Sequence, residues 1–333
     1  MSFDYDYIVI GSGFGGSVAA LRLAEKGYSV CVIERGRRSQ NQDYADSNWK
    51  LWKWLWAPNL MCTGIQTLTF LKNVLVLGGA GVGGGSLVYA AVLLEPPLPF
   101  FKDPQWKDLQ NDWQQTLAPY YQTARRMLGV TTNPKLWKSD ELLLEYAKEI
   151  GREHYFQPTD VGIYFGDPDQ DNADPYFGGD GPSRRGCDHS GRCMVGCRQG
   201  GKNSLDRNYL YLAEKLGVNI MPETEAFDIL PLPDGGYRVE LKKSIGVFRP
   251  RRQALTCCGV VVAAGALGTN KLLLRCKQKG SLPNLSDRLG KVVRTNSEVL
   301  VGATTSDNAA DFSKGIAITS SLFVTDNTHI EPV

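Results

Sequence analysis

Residues 5–36, YDYIVIGSGFGGSVAALRLAEKGYSVCVIERG, decide the fold. The apolar run at 5–10 ends in glycines. Val18, Leu21, Leu23 and Ala24 then recur with helical spacing, and after Gly27 a second apolar run, YSVCVIE, closes on Glu34. That order is strand, tight turn, helix, strand. Gly11, Gly13 and Gly16 set G-x-G-x-x-G into the turn. The first permits the turn, the second lets backbone approach a pyrophosphate, and the third packs helix on strand. The helix N-terminus faces the phosphates with its N–H groups and positive dipole end. Glu34, 18 positions after Gly16, stands where a carboxylate accepts hydrogen bonds from a ribose. The other reading is a merely tight βα turn, but the acid at that distance favours a dinucleotide.

This unit serves NAD and FAD alike, since both present the same adenosine diphosphate half. Working outward, Gly83, Gly84, Gly85 and Ser86 form a second loop poor in side chains. Gly265, Ala266, Leu267 and Gly268, after the apolar strand CCGVVVAAGALG and before a helix expected from about Thr269, form a third. Three close approaches of backbone spread along the chain imply one extended ligand threaded through one domain, and FAD fits that better than NAD.

The remaining sequence sets limits. The 333 residues are 42% hydrophobic and 22% charged, and 37 Lys and Arg against 35 Asp and Glu leave a net charge of +2, with no general field for nucleic acid. The start, MSFDYDYIVIGSG, has no basic or apolar leader pattern, so a cytoplasmic location is expected. The apolar cluster at 51–62 is too short and too interrupted to span a bilayer. Eight cysteines are expected as reduced thiols. Residues 108–150 read as amphipathic helices interrupted by Pro119 and Pro134. Residues 158–202, polar and rich in Gly, Asp and Pro, read as a long functional or mobile loop outside the core. A bounded helix follows in NSLDRNYLYLAEKLG, then strands at 218–243 with a turn at PDGG.

The segments GSGFGGSVAALRLAEKGYSVCVIERG, GVGGGSLV, GKNSLD with YL two residues later, and AAGALGTNKLLLR with GSLPNL downstream resemble the glucose-methanol-choline (GMC) family of flavoprotein oxidoreductases, nearest its cholesterol oxidase branch. The resemblance implies an α/β fold: a Rossmann-type FAD-binding domain with a parallel sheet and βαβ unit, plus an α+β substrate domain that is C-terminally incomplete. Expected boundaries are 1–95 and 200–300 for the FAD domain, and 96–199 and 301–333 for the substrate domain. It implies FAD contacts at Gly11, Gly13, Phe14, Gly15, Gly16, Glu34, Arg35, Gly83, Gly84, Gly85, Ser86, Tyr89, Phe227, Ala264, Gly265, Leu267 and Gly268. The implied reaction is hydride transfer from an alcohol carbon to the flavin, with dioxygen as one acceptor. A sterol-like or other bulky lipid alcohol is the implied substrate, which places the chain in steroid or lipid metabolism. A flavin dehydrogenase with another acceptor, and a flavin-binding but silent fragment, stay open beside it.

Such a reaction needs a base for the hydroxyl proton. His154, in GREHYF, reads as a surface residue, and His189 lies among cysteines. In THIEPV the branch's catalytic glutamate register falls on His329, with Glu331 on the same strand face because side chains alternate. Either serves as base; a solvated surface strand is the other reading. The family's further histidine and its asparagine or histidine partner have no counterpart here, so a truncated member with unpaired strand edges is expected. Trp49, Trp52, Trp54 and Trp56, interleaved with Lys50 and Lys53, read as a buried aromatic flap over the flavin, a transient membrane-surface contact, or packing of the helical layer. Cys187, Cys193 and Cys197 lack the fourth member of an iron–sulfur or zinc set, so no metal is expected, although His189 would complete a zinc set. Cys257 and Cys258 are expected on opposite faces of their strand.

Overall fold

The computed structural model describes residues 2–47, 49–110, 112–246, 251–294, 296, 298–307 and 309–333. Its principal elements begin with β1 (Tyr5–Ile10), α1 (Phe14–Ala24), β2 (Val30–Ile33), β3 (Gln66–Phe70) and β4 (Leu75–Gly79). They continue with α2 (Trp113–Met127), α3 (Lys138–Glu149), β5 (Phe156–Pro158), α4 (Tyr209–Lys215), β6 (Asn219–Met221), β7 (Thr224–Pro231) and β8 (Tyr237–Lys243). Last come β9 (Arg252–Val262), α5 (Gly265–Lys279), β10 (Ser320–Thr325) and β11 (Thr328–Ile330). The chain divides into two compact units, Met1–Val88 with Leu205–Ala303, and Tyr89–Ser204 with Thr304–Val333.

The first unit is built on a six-stranded mixed sheet in the order β6-β2-β1-β9-β8-β7. β1 lies parallel between β2, where Ile8 pairs with Cys31, and β9, where Ile8 pairs with Val260. Ile8 and Val9 are fully buried and so are all four residues of β2, as strands covered on both faces require. The run at 252–262 is only half the parallel strand its apolar sequence suggests. Up to Cys257 it pairs antiparallel with β8, and from Cys257 onward it pairs parallel with β1. Cys257 is buried there while Cys258 is exposed, so the two thiols do take opposite faces. Ile8, Ile10, Ile33, Ile229, Val239, Leu241 and Leu272 close the core. Each such burial contributes roughly 1.5–3 kcal/mol. α5 starts at Gly265 rather than near Thr269 and stops at Gly280, whose φ of 77° gives the left-handed cap that only glycine adopts at no steric cost.

In the second unit Asp112 caps α2 by accepting from the N–H of Gln115 at 2.9 Å. α2 continues through Pro119, so that proline does not interrupt the helix as its sequence suggests. Proline in a helix interior costs about 3 kcal/mol, and the helix forms in spite of it. Pro134 does lie between helices. The polar stretch 158–202 also departs from expectation, because part of it is core: Val161, Ile163 and Cys193 are buried with Ala91 and Ile316. Arg184, 1% exposed, bonds Asn203 Oδ1 and packs on the Tyr176 ring, and the Asp174 carboxylate gathers the N–H groups of Tyr176, Phe177, Gly179 and Gly181. A three-stranded sheet, β11-β10-β5, completes this unit.

Candidate functional site

The three glycine segments converge on residues 11–13. Gly11, at φ 103°, turns the chain out of β1 so tightly that a Cβ there would strike the Ala263 carbonyl. A Cβ on Gly16 would overlap the Gly11 carbonyl oxygen, which is the helix-on-strand packing the third glycine of the motif provides. Gly84 is just as close: its Cβ would lie 2.6 Å from Gly13 Cα. Gly13, Gly85 and Gly265 behave oppositely, with nothing within 4 Å of the Cβ position. The fold therefore uses some of these glycines for its own close contacts and leaves open backbone at the others, as an extended phosphate-bearing ligand needs. α1 and α5 both start without a side-chain cap and without acid in the first turn, so their N-termini suit anions. The residues present thus fit FAD.

Glu34 is 5% exposed and held within the protein. Its Oε2 accepts from the Ser12 hydroxyl at 2.6 Å and the Ser12 N–H at 3.2 Å, and its Oε1 accepts from the N–H groups of Gly36 at 2.8 Å and Gly81 at 3.3 Å. Ser12 Oγ in turn accepts from the Gly83 N–H at 3.1 Å. Ser12, fully buried, is the residue that sequence reading passed over; its only signal was its place between two motif glycines. Ser86 Oγ donates to the Gly83 carbonyl at 2.7 Å and accepts from the Leu205 N–H at 3.0 Å, fixing the second loop from its other side.

Other sequence-expected positions are more scattered. Phe14 and Gly15 lie in the first turn of α1, and the Arg35 carbonyl accepts from the Ser244 hydroxyl. Ala264 caps α5, whose first turn holds Leu267 and Gly268. Phe227 is on β7 beside an irregularity in its pairing with β8, its ring facing Arg252 at 5.4 Å and Lys279 at 5.3 Å. Tyr89 belongs to the second unit, half-buried beneath the Lys202 ammonium at 4.6 Å, and burial of its hydroxyl raises the phenol pKa well above the usual range.

Comparison with known proteins agrees with this geometry. Residues 6–50 match the FAD binding domain family and residues 182–289 match the GMC oxidoreductase family. The chain is 48% identical over 340 residues to a cholesterol oxidase of Mycobacterium tuberculosis (strain CDC 1551 / Oshkosh), covering 100% of this chain and 59% of that protein. A cholesterol oxidase of Acinetobacter baumannii is 43% identical, with 99% and 61% covered. The chain belongs to the GMC oxidoreductase family. This GMC chain spans about three-fifths of the length of those curated relatives. A solved FAD-dependent oxidoreductase from Chaetomium thermophilum shares the fold, with a TM-score of 0.52 at 18% identity over 81% of this chain and 47% of that one. FAD is the cofactor of this GMC chain.

In the second unit, His329 on β11 pairs with Phe323 of β10, and its ring packs on the Phe323 ring at 5.1 Å. Its Nε2 lies 3.6 Å from Glu331 Oε1, so the two side chains expected on one face do meet, at ion-pair distance. His154 is exposed. His189 lies between Phe165, stacked at 5.7 Å, and Trp137 at 5.8 Å, and burial together with the Lys135 charge lowers its pKa. Among the described residues no group of His, Cys, Asp and Glu is arranged to hold a metal. The tryptophan stretch does not form a buried flap. Trp49 and Trp52 are 86% and 56% exposed, which also rules out their packing a helical layer. Trp54 and Trp56 are half-buried. No described helix is long and apolar enough to cross a membrane.

Proposed function

We propose that this chain carries the flavin-binding portion and part of the substrate portion of an FAD-dependent alcohol oxidoreductase acting on a secondary hydroxyl of a sterol-like or similarly bulky lipid alcohol. The observation that carries the reading is the meeting of the glycine segments, Gly84 against Gly13 and Ala263–Ala264 against Gly11, in a chain 48% identical to a cholesterol oxidase. Bound FAD supplies the hydride acceptor. Backbone N–H groups at the start of α1 hold the pyrophosphate, and the open backbone at Gly85 and Gly265 lets the remainder approach without side-chain interference.

His329 is assigned to take the alcohol proton at Nδ1, and Glu331, which faces Nε2, is assigned to orient the ring and favour the imidazolium that results. Phe323, packed on the imidazole, limits its rotation. Dioxygen is the proposed acceptor for reoxidation. The exposed Trp49 and Trp52, with Lys50 and Lys53 beside them, support a transient lipid-surface contact through which such a substrate is collected.

The test uses the purified full chain supplied with FAD. Retained yellow colour, anaerobic bleaching by cholesterol, and peroxide on readmitting air are the expected results. Colour and bleaching without peroxide replaces the oxidase by a dehydrogenase. Colour without bleaching leaves a flavin-binding chain that does not turn over, and absence of colour overturns the reading.

A further inference from the structure

We infer that Ser12 and Glu34 form a staple that assembles the cofactor cradle before any cofactor arrives, Ser12 being a positioning residue. The inference rests on FAD binding at this site. A carboxylate has about four lone-pair sites. At Glu34 four donors from three separate segments occupy them: the N–H and hydroxyl of Ser12 in the first glycine turn, the Gly36 N–H after β2, and the Gly81 N–H before the second glycine loop. The carboxylate placed by its sequence position to receive ribose hydroxyls already has its acceptor sites engaged by the protein itself.

Ser12 extends the staple by one bond. Its single hydroxyl proton goes to Glu34 Oε2, the shorter and charge-assisted of its two neighbours, the other being the Gly81 carbonyl at 3.1 Å. A lone pair then accepts the Gly83 N–H. Gly81 and Gly83 are thereby clamped to the turn that bears Gly13, and this fixes Gly84 against Gly13 with no room for a side chain. Both residues are buried in a region where an unmade hydrogen bond is costly, so the two glycine loops take one relative position instead of many. FAD then meets a site whose ordering has already been done, which raises its affinity without a direct contact from Ser12.

The experiment compares the full chain with Ser12→Ala, Glu34→Gln and the double variant. FAD affinity is read by quenching of flavin fluorescence, and amide hydrogen exchange is read on the protein without FAD. Each single variant is expected to weaken FAD binding about 10- to 100-fold. The double variant is expected to be no more than about 3-fold worse than the poorer single one, because both remove the same device. In the cofactor-free protein, exchange should rise in residues 79–88 and 11–15 and stay unchanged in β8 and α3. Multiplicative losses of affinity, with exchange at 79–88 unaltered, would overturn the staple. A uniform rise in exchange overturns it too, since that is a general loss of stability. Should Glu34→Gln fail to fold, the exchange pattern of Ser12→Ala alone decides. That readout needs no cofactor and no turnover, so its failure is separate from failure of the proposed oxidation.

Discussion

The Asp140 carboxylate, in the first turn of α3, accepts a hydrogen bond from Thr319 Oγ1 at 2.6 Å, across 179 residues of sequence. Its other oxygen accepts from the Trp137 N–H at 2.6 Å, capping the helix, and Ser320 Oγ donates to Oδ1 as well. Asp140, Thr319 and Ser320 are buried, and Trp137 is half-buried. Asp140→Ala leaves two buried donors unsatisfied and uncaps α3, and we expect a loss of about 2–4 kcal/mol in urea unfolding. Thr319 leads directly into β10, which pairs with the strand bearing His329. The variant should therefore also raise hydrogen exchange in 320–330 more than in β1.

The glycine turn offers a sharper separation of stability from binding. Gly16→Ala drives a methyl into the Gly11 carbonyl, a rigid neighbour, and should destabilise the cofactor-free protein by about 2 kcal/mol or more. Gly13→Ala meets no atom within 4 Å and should leave that stability within about 0.5 kcal/mol. Its methyl nevertheless occupies the surface offered to the pyrophosphate, and FAD affinity should fall at least about tenfold. Thermal unfolding without FAD and fluorescence titration with it check the two halves independently.

The α/β class and the βαβ unit are legible in the sequence because they rest on local regularities: glycines at fixed spacing, strands of unbroken apolar residues, one helical repeat between them. The meeting of the glycine segments at Gly11 and Gly13 is legible only as a shared character. What the sequence hides is set by distant partners. Glu34 stands where a ribose ligand belongs, yet beside the local Gly36 N–H its donors come from 22 and 47 residues away, and nothing local announces those. Pro119 reads as a break because its local penalty is real, yet the helix continues through it. The tryptophans at 49 and 52 stay open to burial or to a surface contact because composition reports apolarity but not exposure.

The loop around Asp174 should respond to acid. Burial raises its carboxyl pKa, but the amides of Gly181, Tyr176, Gly179 and Phe177 more than reverse this and hold it below the ordinary 3.8. A carboxyl lowered in the folded state contributes stability that is fully present above its unfolded value and is lost as pH falls through the folded one. Proteolytic resistance of residues 174–181 should hold from pH 7 down to about 4 and decline below it. Asp174→Asn should be more readily cut at pH 7 and lack that acid-side decline.

The thiols should divide by burial. Burial pushes Cys31 and Cys187 up to about 12 and Cys257 up to about 11. At pH 8 the first two hold roughly 10⁴-fold less thiolate than thiol. Cys258 is exposed. An Ellman titration of the native chain should show Cys258 reacting fastest, a phase removed by Cys258→Ser, with Cys31 and Cys257 silent until denaturation, when all eight react. Rapid modification of Cys187 in the folded chain would contradict the packing of its loop.

His329 and Glu331 can be told apart by the first hydride transfer, followed as anaerobic bleaching in a single turnover. If Nδ1 of His329 takes the hydroxyl proton, His329→Gln removes the base and should slow bleaching about 10²- to 10⁴-fold with FAD affinity unchanged. Glu331→Gln removes only the carboxylate 3.6 Å from the ring, and a slowing of about tenfold is expected. Phe323→Leu, which takes away the face on which the imidazole rests, should fall in the same smaller class. The reverse order, with Glu331→Gln the more damaging and His329→Gln mild, would make the carboxylate the base and the imidazole its support. Equal losses in both would mean that proton removal needs the pair as a unit, which the double variant would reveal by costing no more than either single change.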